Sequence, residues 1–493
     1  MKKFWKRASA LVLTLAVAAA CGAAAGCNEP EKPPVTEEFT VLTGDNSKDI
    51  QYTIMFITNK SYIQAETYLK DFDRLYGEVD PESDRMVGFG LPGPMLINQS
   101  IDEIQEEVYG AFRLAKLYNR PVYFNLDDCT AYTGGFGNGS EIKFNENPDM
   151  CEWVSFPQSG ESYGGERYGA LPRWWFNWGS WLCVDAVPCL NSESFLAFME
   201  EKIEKGFLPA LTKCYQELID EGKEYLFAGV SIGWETQIPD YASTVRSISE
   251  VPGMKDYEYT QYGYHALYNL GYTEKSLRRE ADELGITPKE HKQNILMGVI
   301  ADYIEFMAKT VAQCGLIREK MFSHVVSLQS TGNWWTGRTT AYPDIETAIN
   351  EYCTPGWTMN MNSCPYNMDT LIDAIQEKFP GYAEFANAEG YSRGLNGKLY
   401  DNYLDNAEYE QVCRNYFESM FRYKDSSGNV RAAARVVTVY GYDGETSNFG
   451  FTKSERYGFV KVTREWLAGE VVKDFDYSAF LVQMHENMAE AQA

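Results

Sequence analysis

The sequence predicts an α/β fold, a closed (β/α)8 TIM barrel with long aromatic-rich inserts after the third and fourth strands. Short apolar runs rich in β-forming residues alternate with longer stretches of helical spacing. Eight such strand–helix units fit into roughly 420 residues. They contain neither a dinucleotide-binding glycine motif nor a phosphate-binding loop, which favours a closed barrel over an open doubly wound sheet.

The units follow from the apolar pattern, taken in chain order. The predicted strands are residues 52–58, 85–91, 121–126, 225–232, 320–328, 354–360, 382–388 and 433–440. The predicted helices are residues 65–75, 101–118, 194–221, 288–315, 369–379 and 407–422, with a last helix from 454. Helix 101–118 has the clearest start, because Ser100 and Glu103 have the spacing of a capping box. Between the units, residues 129–192 and 236–287 are predicted as loop-like inserts.

The first 27 residues have the pattern of a bacterial lipoprotein signal peptide. Basic residues precede an apolar run from 8 to 20, and Ala24-Ala25-Gly26 precedes Cys27. We expect cleavage before Cys27, lipid on its sulfur, and a location on the extracellular face of the cell membrane. Cys21 is a second candidate for the lipid, and an ordinary signal peptide is the alternative. Residues 28–48 are polar and Pro-rich and predict a flexible tether, and residues 49–493 are predicted to form a single domain.

The charge balance excludes one class of partner. The chain has 44 basic and 70 acidic residues, a net charge of −26. Four of the basic residues lie in the signal segment, so cleavage leaves 40 basic and 70 acidic residues, a net charge of −30. Such a chain repels phosphate backbones, so we expect no nucleic-acid partner.

The cysteines and histidines do not predict a metal centre or a cofactor. Nine cysteines follow Cys27 without any Cys-x-x-Cys pair, and the chain has four histidines. Two close pairs, Cys183 with Cys189 and Cys353 with Cys364, could form disulfides. Buried free thiols are the alternative for most of these cysteines.

Acidic residues follow the predicted strands where a barrel carries its chemistry, at the carboxyl ends. Glu235 follows the fourth strand and Glu389 follows the seventh. Cleavage of a glycosidic bond needs one carboxylic acid and one carboxylate on opposite sides of the bond, so these two residues are the catalytic candidates. Four neighbours at strand ends are predicted to bind substrate: Asp127, Asp128, Trp234 and Asn387. A structural role is the alternative for the two aspartates.

Tryptophans in the predicted loops indicate the kind of substrate. Trp178 lies in the first insert, Trp335 follows the fifth strand, and Trp357 lies near the sixth. The apolar face of a sugar ring stacks on indole, so we expect these residues to line subsites. Packing of the inserts is the alternative reading, and His324 is interpreted as a core residue inside a strand.

The sequences Ser231-Ile-Gly-Trp-Glu235 and Glu384-Phe-Ala-Asn-Ala-Glu389-Gly390 resemble the two catalytic motifs of the clan A glycoside hydrolases. The resemblance covers roughly residues 50 to 470. It implies a retaining (β/α)8-barrel enzyme with Glu235 as acid/base and Glu389 as nucleophile. Most of the clan has Asn directly before the acid/base, where Trp234 stands here. The β-amylases and the family-42 type β-galactosidases are further relatives by this resemblance.

Together these observations predict a cell-surface glycoside hydrolase, with residues 49–493 as its catalytic domain. Its partners would be a neutral oligo- or polysaccharide and, through the lipid, the membrane. The alternative is a non-catalytic glycan-binding surface lipoprotein.

Overall fold

The computed structural model describes most of the predicted domain. The described residues are 38–44, 49–57, 62–128, 147–153, 155–157, 173–177, 180–184, 188–238, 262–326, 345–360, 364–391, 407–440 and 453–469. Within them, no helix is both long and apolar enough to cross a membrane.

Eight parallel strands form the centre of the fold. They are β1 (Gln51–Phe56), β2 (Arg85–Leu91), β3 (Val122–Leu126), β4 (Phe227–Ile232), β5 (Met321–Ser323 and Val325–Val326), β6 (Gly356–Asn360), β7 (Glu384–Tyr391) and β8 (Val430–Tyr440). Each pairs in parallel with the next along the chain, and β8 pairs back with β1. Strands β1 to β4 are buried along almost their whole length, because the barrel interior covers one face and helices cover the other.

The barrel closes through β5, which is interrupted at His324. Met321–Ser323 pairs with β4, whereas Val325–Val326 pairs with β6. His324 lies between the two halves, and its N–H donates to the carbonyl of Ile232 on β4 at 3.1 Å. The strands therefore form a nearly closed (β/α)8 barrel, and the fold class expected from the sequence is confirmed.

Helices surround the barrel in the order expected of βα units. They are α1 (Tyr62–Leu69), α2 (Phe72–Tyr76), α3 (Ile101–Tyr118), α4 (Glu193–Glu201), α5 (Leu208–Asp220), α6 (Tyr264–Asn269), α7 (Glu274–Leu284), α8 (Pro288–Ala312), α9 (Cys364–Lys378), α10 (Ala407–Phe421) and α11 (Lys453–Ala468). A π-helical segment, Lys202–Phe207, joins α4 to α5. The Ser100–Glu103 capping box is present at the start of α3.

Three local predictions were wrong in detail. The predicted helix 65–75 is split into α1 and α2. The first insert contains an antiparallel hairpin, Arg173–Asn177 with Ser180–Val184, where we expected a loop. The second insert contains α6 and α7. Helix α7 begins at a capping box formed by Thr273 and Ser276. The sequence analysis missed this helix start because the surrounding insert is polar throughout.

The predicted tether is in contact with the barrel at its end. The N–H of Leu42 donates to the carbonyl of Cys314 at 2.8 Å, and that of Thr43 to the side chain of Gln216 at 2.8 Å. The folded body therefore begins before residue 49.

Cys189 and Cys353 are buried free thiols, so neither candidate disulfide is formed in the structure.

A buried carboxylate, Glu152, joins the two inserts. Its oxygens accept the backbone N–H groups of Trp153, Gly263, His265 and Ala266 at 3.0 to 3.2 Å. The ring of Trp153 stacks on that of His265, with centroids 4.0 Å apart. Burial raises the pKa of Glu152 from 4.5 to about 7, and this shift is opposed by hydrogen bonds from the Cys189 thiol and the N–H groups of Trp153 and His265 and by the charge of Lys292.

We expect this carboxyl to make stability depend on pH. Its pKa is higher in the folded state, so its contribution is fully present below pH 4.5 and is lost as pH rises through about 7. The shift corresponds to about 3 kcal/mol. Between pH 5 and pH 8, the unfolding free energy of wild type should fall relative to that of Glu152→Gln, measured by denaturant titration. A difference between the two proteins that stays constant with pH would contradict this account.

Candidate active site

The turn after β4 holds the first catalytic candidate in an unusual backbone conformation. Gly233 has φ +80°, and a Cβ there would lie 2.6 Å from the hydroxyl of Thr236, so glycine is required. Glu235 has φ +51°, which L-residues rarely adopt. Such a residue costs about 1 to 3 kcal/mol, and the surrounding structure must hold it in place.

Asp128 supplies the contacts that hold this turn. It is fully buried directly after β3. One carboxylate oxygen accepts the N–H of Trp234 at 2.9 Å, and the other accepts the hydroxyl of Thr236 at 2.7 Å. Asp128 therefore positions Glu235 through the backbone on either side of it.

Asp127, also predicted to bind substrate, extends the ladder between β2 and β3. Its N–H donates to the carbonyl of Pro94 at 3.0 Å, and its own carbonyl accepts the N–H of Leu96 at 3.0 Å. Its side chain is fully buried. A substrate contact by Asp127 stays a prediction.

Glu389 reaches the site because β7 is irregular. The side chain of Asn387 points to the helix layer, where its amide bonds Tyr416 of α10. Strict alternation along a strand would place Glu389 on the same outer side. The register against β6 shifts between Asn387 and Glu389, and this bulge directs Glu389 to the opposite side.

Asn387 makes contacts that stabilise the bulge in β7. Its amide accepts the N–H of Met359 at 3.2 Å and donates to the carbonyl of the same residue at 3.0 Å. Both amide groups are bonded by the protein on the helix side, so Asn387 braces the bulge, and a substrate contact by Asn387 stays a prediction.

The two glutamates lie together at the carboxyl end of the barrel. Donor atoms of Glu235, Glu389 and His324 lie within 4.8 Å of one another. Glu235 is partly exposed, whereas Glu389 is only 2% exposed. The structure therefore brings together the two strand ends that the sequence analysis paired, and a catalytic role for the two carboxylates stays a prediction.

Glu389 is surrounded by few polar groups. One oxygen accepts the indole N–H of Trp234 at 2.7 Å and lies 3.8 Å from Nε2 of His324. The other oxygen is buried and has no hydrogen-bond partner among the described residues. Burial raises the pKa of Glu389 well above its usual value, and the charge of Glu235 raises it further, while Trp234 opposes both.

Glu235 has a hydroxyl partner instead. The hydroxyl of Thr358 on β6 donates to its carboxylate at 2.6 Å, and burial raises the pKa of Glu235 against this bond. The same Thr358 oxygen lies 3.0 Å from Nε2 of His324. While Glu235 is ionised, the single hydroxyl proton of Thr358 goes to that carboxylate, so Thr358 accepts from His324 and the ring carries its proton on Nε2.

His324 and Thr358 are the site residues that the sequence analysis missed. Burial lowers the pKa of His324 to about 3, so the ring is neutral. The only sequence signal is a polar residue inside an otherwise apolar strand, which is more often a core residue. Together with one oxygen from each of the two glutamates, a ring nitrogen of His324 could also coordinate a divalent cation.

The predicted tryptophans divide into three outcomes. Trp234 precedes Glu235 in the chain and donates its indole N–H to Glu389. Trp357 is fully buried and donates its indole N–H to the carbonyl of Ile345 at 3.3 Å, so its position is that of a core residue and does not favour sugar stacking. Trp178, Trp335 and Cys27 lie outside the described residues.

Comparison with known proteins adds structural neighbours only. No protein-family profile and no curated protein sequence matches the chain. Among solved structures it is similar to the catalytic domain of β-amylase from Paenibacillus polymyxa, with 9% identity, TM-score 0.49, and coverage of 85% of this chain and 99% of that one. It is also similar to the PgaB (BpsB) glycoside hydrolase domain from Bordetella bronchiseptica, with 9% identity, TM-score 0.41, and coverage of 86% and 100%. The second of these neighbours is named as a glycoside hydrolase domain, and the first as the catalytic domain of a β-amylase. At these TM-scores, the function of the chain has to be argued from its own site.

Proposed function

We propose that this chain is a retaining glycoside hydrolase, with Glu389 as nucleophile and Glu235 as acid/base. The observation that carries the proposal is the pair of carboxylates within 4.8 Å at the carboxyl ends of β4 and β7. Retaining glycosidases have their two carboxyl groups about 5 to 5.5 Å apart, whereas inverting enzymes need about 6.5 to 9.5 Å to admit a water molecule.

The two environments support different roles for the two residues. Two charged carboxylates this close repel each other. The pair therefore holds a single proton over the pH range between its two apparent pKa values. A sugar bound over the partly exposed Glu235 removes water from it and raises its pKa, which favours the acid there. Glu389 keeps the indole N–H of Trp234, which favours its carboxylate form.

The reaction would then proceed in two displacements. Glu389 attacks the anomeric carbon from one side while Glu235 gives its proton to the departing glycosidic oxygen. Glu235 next takes a proton from water, which attacks the same carbon and releases Glu389. Two inversions leave the configuration unchanged.

The cleaved residue is proposed to be a neutral sugar. In the described part of the chain, neither Glu235 nor Glu389 pairs with a lysine or arginine, so nothing beside them would offset a negative charge on the sugar at the bond.

We further propose that lipid on Cys27 anchors the enzyme at the outer face of the membrane. Mass spectrometry of the mature N-terminus tests this, and an unlipidated Cys27 would refute it.

A hydrolysis screen on aryl β-glycosides and neutral polysaccharides tests the main proposal. The first-formed product, followed by NMR of its anomeric proton, should keep the substrate's configuration. Inversion of that configuration would overturn the retaining mechanism. Absence of hydrolysis together with glycan binding would favour the non-catalytic alternative.

The same screen with EDTA tests a second candidate, a divalent-cation site at Glu235, His324 and Glu389. The carboxylate mechanism predicts that chelation leaves the rate unchanged. Loss of activity that an added cation restores would favour the metal-dependent reading.

Trp234→Phe is expected to move the acidic limb of the pH–rate profile to higher pH. The indole N–H bond lowers the pKa of Glu389, so its removal raises that pKa. A hydrogen bond to a charged group contributes about 1.5 to 3 kcal/mol, which corresponds to a loss of roughly 10- to 100-fold in kcat/KM. An unchanged acidic limb would show that the bond does not stabilise the carboxylate.

A further inference from the structure

A cavity lies beside the two inserts. It has a volume of about 900 Å³ and lies between residues 155–157 of the first insert and the helices α6, α7 and the first turn of α8. This size falls in the range of small-molecule sites, about 300 to 1,000 Å³. It contains neither of the catalytic candidates.

The topology places this cavity on the same face of the barrel as the glutamates. Strand β4 ends at Ile232, just before Glu235, and helix α8 is the crossover that leads back to β5. In a βα unit the helix starts at the end of the barrel where the strand finished. Pro288 and Lys289, in the first turn of α8, line the cavity and therefore lie on the catalytic side.

The walls of the cavity are held together by buried contacts. Glu152 of the first insert bonds four backbone N–H groups, three of them at the start of the α6 region. Phe156 packs edge-on against Tyr264, with centroids 5.2 Å apart, and Trp153 packs against Tyr268 at 5.2 Å. The two inserts thus form one preorganised wall.

Aromatic rings give the cavity a surface suited to a sugar. Tyr264, Tyr268 and Tyr272 line it, and Tyr268 is 49% exposed. A half-exposed tyrosine offers an apolar ring face and a hydroxyl at once, which matches the mixed surface of a pyranose ring.

The charge of the lining is opposite to that of the whole chain. Among the described residues, the cavity is lined by four cations, Lys275, Arg278, Lys289 and Lys292, and by one acid, Glu274, which pairs with Arg278 at 2.7 Å. Lys292 is only 4% exposed, and its ammonium group lies 3.9 Å from the centre of the Tyr264 ring. In a chain of net charge −26, this local excess of positive charge indicates an anionic ligand.

We propose that this cavity binds a uronate residue of the glycan, whose carboxylate lies among Lys275, Lys289 and Lys292 while its ring packs on the tyrosines. The inference rests on the proposed function and refines its substrate class. The sugar at the cleaved bond is neutral, and a second sugar of the same glycan, bound in this cavity, is acidic. The cavity would then select chains bearing a carboxylate and orient them toward the glutamates.

Affinity electrophoresis tests this with the Glu235→Gln/Glu389→Gln chain, so that binding is measured without turnover. The gels contain glucuronoxylan or polygalacturonate, or the same polymers after chemical reduction of their carboxyl groups. We expect retardation by at least one native polymer and its loss in the reduced form. Adding Lys275→Gln and Lys289→Gln should weaken binding about tenfold or more, as expected for loss of charge-assisted contacts.

A matched control removes the same charge elsewhere. Lys205→Gln with Lys424→Gln breaks exposed pairs with Glu201 and Glu418 and should leave retardation unchanged. Equal retardation by native and reduced polymers, no retardation by either, or an equal loss in the control would overturn the inference. Hydrolysis by the unmodified chain without uronate retention refutes this inference alone. Uronate retention without any hydrolysis refutes the proposed function alone.

Discussion

The Glu389→Gln variant is expected to lose glycoside hydrolysis by roughly 10⁴- to 10⁶-fold, because the amide cannot attack the anomeric carbon. Glutamine has the same shape, and its amide oxygen can still accept the indole N–H of Trp234. The loss is therefore assigned to chemistry rather than to a rearranged site. Initial rates on an aryl glycoside provide the measurement.

The same variant has a readout that needs no substrate. Glu389 is buried next to Glu235, and both burial and that second charge raise its pKa. Replacing it with a neutral side chain removes the repulsion, so thermal unfolding at pH 8 should occur at a higher temperature than in wild type. Unchanged hydrolysis would remove Glu389 from the mechanism, whereas a lower unfolding temperature would contradict only the electrostatic account.

Glu235→Gln is expected to reduce kcat by about 10²- to 10⁴-fold on substrates with poor leaving groups. The loss should be much smaller in the glycosylation step for an aryl glycoside whose leaving group departs without a proton. The basic limb of the pH–rate profile should also disappear, because the proton donor is gone. A retained basic limb, or an equal loss on both kinds of substrate, would assign the acid/base role to another residue.

Azide separates the two roles. It replaces water as the nucleophile when the general base is missing, so the Glu235→Gln variant should form a glycosyl azide of retained configuration. In a smaller variant of the nucleophile, Glu389→Ala, azide attacks directly and the product has inverted configuration. Exchange of these two outcomes would show that the roles of Glu235 and Glu389 are reversed.

The barrel was predictable because its strands and helices have strong, regular apolar patterns. Strand β2 and helix α3 have the bounds that the sequence analysis expected, Arg85–Leu91 and Ile101–Tyr118. Each is bounded by local chemistry, such as the Ser100 cap. Helices α6 and α7 were missed because their polar and aromatic surfaces lack the long apolar stripe on which the prediction depended.

The two glutamates could be named from strand ends, but their geometry could not. The side-chain direction of Glu389 depends on a bulge in β7, and no residue in the sequence marks the position of that bulge. The same bulge leaves Asn387 facing the helices. The bond from Trp234 to Glu389 joins residues 155 positions apart. His324 and Thr358 acquire their roles only when β5 and β6 are placed side by side.

The interruption of β5 also determines where the molecule opens most easily. In the part of the chain that the structure describes, this strand is held to β4 by three residue pairs and to β6 by two, whereas β1 and β2 share six. Local opening has the lowest free energy where cooperative contacts are fewest. Amide hydrogens of residues 321–326 should therefore exchange faster with solvent than those of β1. The interruption of β5 lies at His324, whose ring is 3.8 Å from Glu389. A ligand bound between the two glutamates would therefore stabilise β5 and slow this exchange.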